Sequence, residues 1–224
     1  MPEMDRTHPI PMTRSTIARR AALLGLICAS AVCAIGLPST ARAEPVAPDA
    51  FVLEMSNEVL NQVKSDKAIQ AGDMGKVIAL VDSKVMPHVN FQRMTASAVG
   101  RHWRSATPEQ QKRLQDEFKI LLVRTYAGAL AQVKDQTIAL KPLRANPTDN
   151  EVVVRTEIRG RGDPIQLDYR LERSGNGWKV YDFNVLGIWL VEQYRSSFAQ
   201  EIGASGIDGL IGKLAERNKA GSKA

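Results

Sequence analysis

The hydrophobic periodicity of this chain changes near Asp135, from the helical repeat of about 3.6 residues to the strand repeat of two. Four alternating segments follow that point: QTIALKPLRA, EVVVRTEIRGRG, PIQLDYRLERSG and GWKVYDFNVLG. The turn-forming stretches GRGDP and SGNG join strands of this set, which favours antiparallel hairpins. Helical spacing returns from Ile188 to Leu214 as two closing helices. The pattern predicts an α+β domain in which helices cover one face of a curved, four-stranded antiparallel sheet.

The first 43 residues have the features of an export signal. Arg19 and Arg20 precede an apolar run over 21–37, and Ala41-Arg42-Ala43 follows it with the small-x-small pattern of a cleavage site. The apolar run is shorter than the roughly 20 residues that a spanning helix needs. We therefore expect a cleaved signal peptide over 1–43, by either the general or the twin-arginine route, and one domain over 44–224.

The composition of residues 44–224 excludes several kinds of site. Both cysteines, Cys28 and Cys33, lie in the predicted signal, so no disulfide or thiolate site is expected in the exported chain. Five of the 30 basic and two of the 24 acidic residues also lie there, which leaves a net charge of only +3. Because the arginines of the predicted strands alternate with acidic residues, we expect no nucleic-acid partner.

The helices before the sheet have recognisable boundaries. The stretch ATPEQQ places Thr107 as a cap, Pro108 at the first helical position and Gln110 in a capping box, and it predicts the start of the longest helix. That helix has a main apolar stripe and a second one, so it should be covered on more than one side. Earlier helices are expected over about 48–65, with Asp49 as the cap, and over about 73–85 and 91–103.

The sequence contains no nucleophile turn, no phosphate-binding glycine loop and no histidine pair at metal-ligand spacing. We therefore expect no catalytic or metal site. An enzyme of similar shape would need His88 or Asp182 as its base. We expect Asp182 instead to form a structural ion pair, His88 to lie in a turn or helix cap, and Asp168 to face solvent.

Three long blocks of the sequence carry a family resemblance. They are VMPHVNFQRMTASAVGRHWRSATPEQQKRLQDEFKILLVRTYAGAL, VVVRTEIRGRGDPIQLDYRL and GWKVYDFNVLGIWLVEQYRSSFAQEIGASGIDGLIGKL. In this order they resemble the MlaC family of periplasmic phospholipid carriers, also called the toluene-tolerance auxiliary component, over nearly all of residues 50–217. The resemblance implies an NTF2-like cone that encloses an apolar pocket, with a bound phospholipid as cargo, no cofactor and no catalysis.

The resemblance also implies a cellular setting. Members of the family are monomeric periplasmic carriers in Gram-negative bacteria. They move phospholipid between an outer-membrane lipoprotein–porin complex and an inner-membrane MCE-domain protein of an ABC transporter, in a system that maintains outer-membrane lipid asymmetry. The sequence leaves open the direction of transport, the lipid headgroup, the number of acyl chains and the partner-binding surfaces. An adaptor of the transporter, with a filled core and no pocket, is an alternative.

Helix and strand parity, combined with the resemblance, predicts which side chains line the pocket. The expected lining residues are Phe91, Met94, Val99, Trp103, Phe118, Leu122, Tyr126, Val154, Ile158, Leu167, Tyr169, Tyr181, Phe183, Trp189 and Tyr194.

Overall fold

The computed structural model describes residues 46–146 and 148–220, so the predicted signal peptide over 1–43 lies outside the described residues. The helices are α1 (Pro48–Ser65), α2 (Lys67–Gln70), α3 (Met74–Leu80), α4 (Phe91–Val99), α5 (Pro108–Ala131) and α6 (Leu190–Ala220). The strands are β1 (Thr137–Leu140), β2 (Glu151–Arg159), β3 (Ile165–Ser174), β4 (Gly177–Val185) and β5 (Ile188–Trp189). The predicted α+β architecture is confirmed.

Short polar side chains cap most helix starts. The carboxylates of Asp66 and Asp73 accept backbone N–H groups at the starts of α2 and α3, and Thr107 and Gln110 form the predicted capping box of α5. The expectation that Asp49 caps α1 is wrong, because Ala47 occupies the cap without a side-chain bond and Asp49 lies within the first turn. A carboxylate in that turn still interacts favourably with the helix dipole.

The chain between α3 and α5 departs from regular α-helix in two places. The helix expected over 73–85 changes after Leu80 into a π-helical turn, Val81–Val85, which leads into a 3₁₀ turn, Met86–His88. The helix expected over 91–103 also continues after Val99 as a 3₁₀ helix, Gly100–Ser105.

The sheet is a fully antiparallel meander in the order β1-β2-β3-β4-β5. The fifth strand was not expected, since two residues are too few to show a strand period. It forms because Leu186 and Gly187 make a tight turn with positive φ values of 53° and 89°, which brings Ile188–Trp189 beside the end of β4. In α6, non-helical Gly206 separates two helical parts, in agreement with the two closing helices predicted.

The buried apolar side chains form two clusters. The larger one fills the space between the sheet, α4, the first half of α5 and α6, where the ring of Phe118 meets Tyr194 and Phe198 edge-on at 5.0 and 5.2 Å between centroids. The smaller cluster joins α1, α2 and α3 to the second half of α5 through Val123 and Ala127.

The outer face of the sheet is more covered than its alternation indicates. Asp168 was expected to face solvent, but it is only 3% exposed and Gln166 Nε2 donates to its carboxylate at 2.6 Å. Its cross-strand neighbour Asn184 is buried as well. Strand parity identifies the face of a side chain, whereas its depth depends on the long polar side chains beside it.

Candidate functional site

A cavity of about 530 Å³ lies between the two apolar clusters. This volume falls within the roughly 300–1,000 Å³ of typical small-molecule sites. Its wall consists almost entirely of aliphatic and aromatic side chains. The described lining residues that are not apolar are Lys119, Gln132 and Gln136. Such a cavity can hold a hydrocarbon group but offers few partners to a polar one.

Helix α5 forms one long wall of the cavity. The lining side chains of this helix are Lys119, Leu122, Val123, Tyr126, Ala129 and Leu130. They recur at three- and four-residue spacing and therefore share one face. From Lys119 to Leu130 this face extends about 16 Å, at 1.5 Å per residue. Gln132, Val133 and Gln136 continue the wall beyond the helix.

The opposite walls come from the first helices and from one end of the sheet. Val77 and Leu80 of α3 continue into Val81 and Val85 of the π-helical turn, so the regular and the widened parts of this segment both line the cavity. The sheet contributes the end at which β2 finishes and β3 begins, through Ile158, Ile165, Leu167, Phe183 and Val185. Ile165 remains 42% exposed, so the wall at this end is in contact with solvent.

The polar groups of the wall are neutral or paired. Lys119 Nζ donates to Asp82 Oδ1 at 2.7 Å across the gap between α5 and the π-helical turn. Burial, with a smaller effect from nearby Tyr194, raises the pKa of the Tyr126 phenol, which therefore stays neutral near pH 7. Gln136 accepts Lys64 Nζ at 2.7 Å through its backbone oxygen.

The structure brings part of the predicted set to this wall. Seven of the predicted side chains line the cavity: Phe91, Met94, Leu122, Tyr126, Ile158, Leu167 and Phe183. Val99, Phe118, Val154, Tyr169 and Tyr194 lie instead in the packed cluster, and half-buried Trp103 packs against it. These side chains point into the fold, as their positions in the helix and strand repeats predict. They do not line the cavity, because other buried side chains pack against them.

Two predicted lining residues lie outside the cavity. Tyr181 stacks under the Arg93 guanidinium at 3.7 Å and donates to Glu151, while Trp189 stacks under Arg170 at 3.9 Å. An irregularity in the β3–β4 register, between Arg170 and Leu171, interrupts the alternation near Tyr181. Trp189 lies in β5, which the periodicity did not predict.

Much of the observed wall was absent from the prediction. It includes Val59 and Leu60 of α1, Val77 and Leu80 of α3, Val81, Val85 and Met86 after α3, and Leu130 and Val133 at the end of α5. The second apolar stripe on α5, with Val123 and Ala127, was the available signal, because a helix covered on two sides needs a second partner. No feature of the sequence showed that α1 and α3, which cover this second stripe, leave a cavity beside the second half of α5.

Asp182 and His88, the two residues considered as catalytic bases, make structural contacts outside the cavity. Asp182 is 1% exposed, pairs with Arg170 at 3.0 Å and accepts the amides of Phe183 and Val191. Burial raises the pKa of its carboxyl, while the Val191 amide and the Arg170 guanidinium act in the opposite direction. The His88 ring packs edge-on against Phe51 at 5.5 Å between centroids. Neither residue belongs to the cavity wall.

The described part of the chain contains neither a metal-binding cluster nor a membrane-spanning helix. Within 46–146 and 148–220, no three His, Cys, Asp or Glu side chains are grouped so that they could hold a metal ion. No helix in the same ranges combines the length and the apolar character that crossing a bilayer demands.

Comparison with known proteins gives consistent matches. The family model described as MlaC protein matches residues 53–216. A toluene tolerance protein of Pseudomonas putida is 27% identical over 180 residues, which cover 77% of this chain and 84% of that protein. The intermembrane phospholipid transport system binding protein of Haemophilus influenzae is 25% identical over 179 residues, or 78% and 83% of the two chains.

A solved structure is also similar to this chain. It is the phospholipid-binding protein from Ralstonia solanacearum in complex with a phospholipid, with 48% sequence identity and a TM-score of 0.76. The match covers 78% of this chain and 98% of the solved one.

Proposed function

The chain belongs to the MlaC family, and we propose that it is a phospholipid carrier that holds the acyl chains of its cargo in the cavity between the two apolar clusters. The observation that carries this proposal is the apolar cavity of about 530 Å³. The Ralstonia relative, which was solved with a phospholipid, supports the same assignment.

The energetics of lipid transfer explain why a carrier needs such a cavity. Each methylene exposed to water costs about 0.8 kcal/mol, so the two tails of a phospholipid cost roughly 20 kcal/mol or more outside a bilayer. A wall of aliphatic side chains removes the same methylenes from water and offsets most of that cost. Exchange with a membrane then becomes close to thermoneutral.

The empty cavity is costly for the protein itself. A closed void costs about 24 cal/mol per Å³, so this volume would cost at most on the order of 10 kcal/mol, and less where the wall is open to solvent beside Ile165. That upper limit is as large as the whole stability of a typical domain. Occupancy by an apolar ligand therefore stabilises the folded chain, and the lipid acts both as cargo and as part of the core.

The proposal includes the setting of the family. The protein is a periplasmic carrier without catalytic activity, exported by the signal peptide over residues 1–43. It passes phospholipid between an inner-membrane MCE-domain protein of an ABC transporter and an outer-membrane lipoprotein–porin complex. The positions of Asp182 and His88 outside the cavity favour this carrier over the enzyme alternative.

The test compares the lipid content of the purified protein with that of two variants on α5. Leu122→Trp fills the cavity, whereas Arg113→Trp makes the same kind of change at an exposed position of the same helix. Native mass spectrometry should find phospholipid on the wild type and on Arg113→Trp, and little on Leu122→Trp. A wild-type protein that carries no phospholipid and takes none from vesicles would overturn the proposal.

The partners are tested separately by transfer. Protein loaded with a fluorescent phospholipid is mixed with the soluble MCE domain of the transporter, and the fluorescence of each protein is followed after separation. We expect lipid to pass from one protein to the other. Retention of all the lipid under saturating acceptor would remove the MCE-domain protein from the scheme while leaving lipid binding intact.

A further inference from the structure

The apolar cavity has one cation in its wall among the described lining residues, Lys119 of α5. Its ammonium bonds to the carboxylate of Asp82, which lies on the π-helical turn at the opposite side. The side chains of Lys119 and Asp82 are 24% and 46% exposed. The pair therefore stands where the apolar wall meets solvent, with the cation on the inner side and the anion on the outer side.

Both members of the pair have unused hydrogen-bonding capacity. An ammonium has three N–H donors, and Asp82 Oδ1 takes one of them. A carboxylate can accept about four hydrogen bonds. A ligand that brings both an anion and a cation can therefore add to this pair without leaving a charge unpaired. A ligand with an anion alone would meet the repulsion of Asp82.

We propose that Lys119 and Asp82 form a headgroup site for a zwitterionic phospholipid with a primary ammonium, such as an ethanolamine headgroup. This inference rests on the proposed function. Lys119 Nζ donates to the phosphate, and the Asp82 carboxylate accepts the ammonium of the headgroup. The acyl chains continue along α5 past Leu122, Tyr126 and Leu130. Tail burial supplies most of the affinity, and the ion pair supplies a preference among lipids with equal tails.

The competing explanation is that the pair only ties α5 to the π-helical turn. A half-exposed ion pair contributes little to stability, so variants at either position should fold. If the pair is purely structural, its loss shifts α5 and alters the cavity. Binding of every lipid should then fall equally, whatever its headgroup. The dependence on the headgroup therefore separates the two explanations.

The experiment is a competition among lipids with identical dioleoyl tails. Vesicles contain phosphatidylethanolamine, phosphatidylglycerol and diacylglycerol in equal amounts, and native mass spectrometry measures the ratio taken up by the full protein. Lys119→Gln should reduce both phospholipids relative to diacylglycerol by on the order of tenfold, since a hydrogen bond to a charged phosphate is lost. Asp82→Asn should reduce phosphatidylethanolamine relative to phosphatidylglycerol by roughly fivefold.

Matched controls come from a Lys–Glu pair on α6. Lys213 Nζ donates to the Glu201 carboxylate, and neither residue lines the cavity. Lys213→Gln and Glu201→Gln should leave the lipid ratios at their wild-type values. Adding millimolar inorganic phosphate should also leave the wild-type ratios unchanged, whereas loss of the preference would identify a general anion site and overturn the proposal.

Two further outcomes would overturn the headgroup site. One is an unchanged ratio of phospholipid to diacylglycerol in Lys119→Gln, and the other is an equal loss of all three lipids. Neither result touches the carrier function, which requires only that the wild type bind lipid. A wild type that binds none of the three would instead contradict the proposed function.

Discussion

The two halves of α5 carry similar apolar repeats, yet one half packs against a solid cluster and the other faces a cavity. Leu114 and Phe118 in the first half are fully buried and belong to the larger cluster. Leu122, Tyr126 and Leu130 in the second half are only partly buried and line the cavity. Helix propensity and hydrophobicity do not distinguish these two regions.

The difference comes from what stands opposite each half. Rings from α4 and α6, including Phe91, Tyr194 and Phe198, reach Phe118 and fill the space around it. The second half faces Val77, Leu80 and Val81, which line the cavity and include no aromatic ring. The solid region therefore provides stability, and the hollow region provides room for a ligand.

The largest expected effect comes from the same substitution in the two regions. Leu114→Ala removes a fully buried side chain from close packing and should cost about 3–5 kcal/mol of unfolding free energy. Leu130→Ala enlarges an existing cavity at a half-buried site and should cost about 1–2 kcal/mol. Urea unfolding of both variants, without added lipid, measures the difference. Equal losses would mean that the second half of α5 is as tightly packed as the first.

The next effect concerns Tyr169 in the solid region. Burial raises the pKa of its phenol to about 12 from an ordinary value of 10, against the opposing bonds from Ser56 and Thr156. Below pH 10 the phenol is protonated in both the folded and the unfolded states. As the pH rises from 10 to 12 the unfolded chain ionises first, so the protein should lose about 2–3 kcal/mol of stability.

The control for this pH dependence is Tyr169→Phe. It should cost about 1 kcal/mol at neutral pH, because Ser56 Oγ loses its partner at 3.0 Å, but it should be less sensitive to alkali than the wild type. Parallel pH profiles of the two proteins between pH 10 and 12 would show that Tyr169 is not the group responsible.

Asp182 tests whether function lies in the hollow region alone. Asp182→Asn removes a charge from its bond to Arg170, but burial already raises the pKa of this carboxyl, so the expected loss is moderate, about 1–2 kcal/mol. Lipid uptake from vesicles should remain at the wild-type level. A variant that folds but has lost lipid binding would link the outer face of the sheet to the site.

The smallest expected effect is a gain in stability at the turn after β4. Leu186 has a φ of 53° and is 66% exposed, so this residue adopts a left-handed conformation without packing that compensates. Leu186→Asn suits a two-residue turn followed by glycine and should stabilise the protein by about 1 kcal/mol in thermal unfolding. Val185→Asn at the neighbouring cavity wall should destabilise it. A loss of stability in Leu186→Asn would indicate that the leucine side chain packs in solution.

The sequence predicts the architecture well because its signals are local. The capping box at Thr107 and Gln110 and the alternation in β2 each act within a few residues, and both appear in the structure. The departures are local as well. Strand β5 is too short to show a period, and the irregularity beside Arg170 reverses the expected direction of Tyr181.

The cavity was predictable only in part because it depends on distances between elements. Parity assigns both Phe118 and Leu122 to the inside of the fold, but only Leu122 faces open space. The π-helical turn at Val81–Val85 has no clear sequence signal, and it shapes the wall that the prediction missed. Solid and hollow interiors therefore share one hydrophobic pattern.

Acyl chains are proposed to occupy the space between the two apolar clusters. A crystal of the protein loaded with a phospholipid brominated along its tails tests this directly, because anomalous scattering locates each bromine atom. We expect bromine positions in contact with Leu122, Tyr126 and Leu130 on one side and with Phe183 or Leu167 on the other. Bromine atoms found only outside the cavity, with the space between the clusters filled by water or by collapsed side chains, would contradict this placement of the acyl chains.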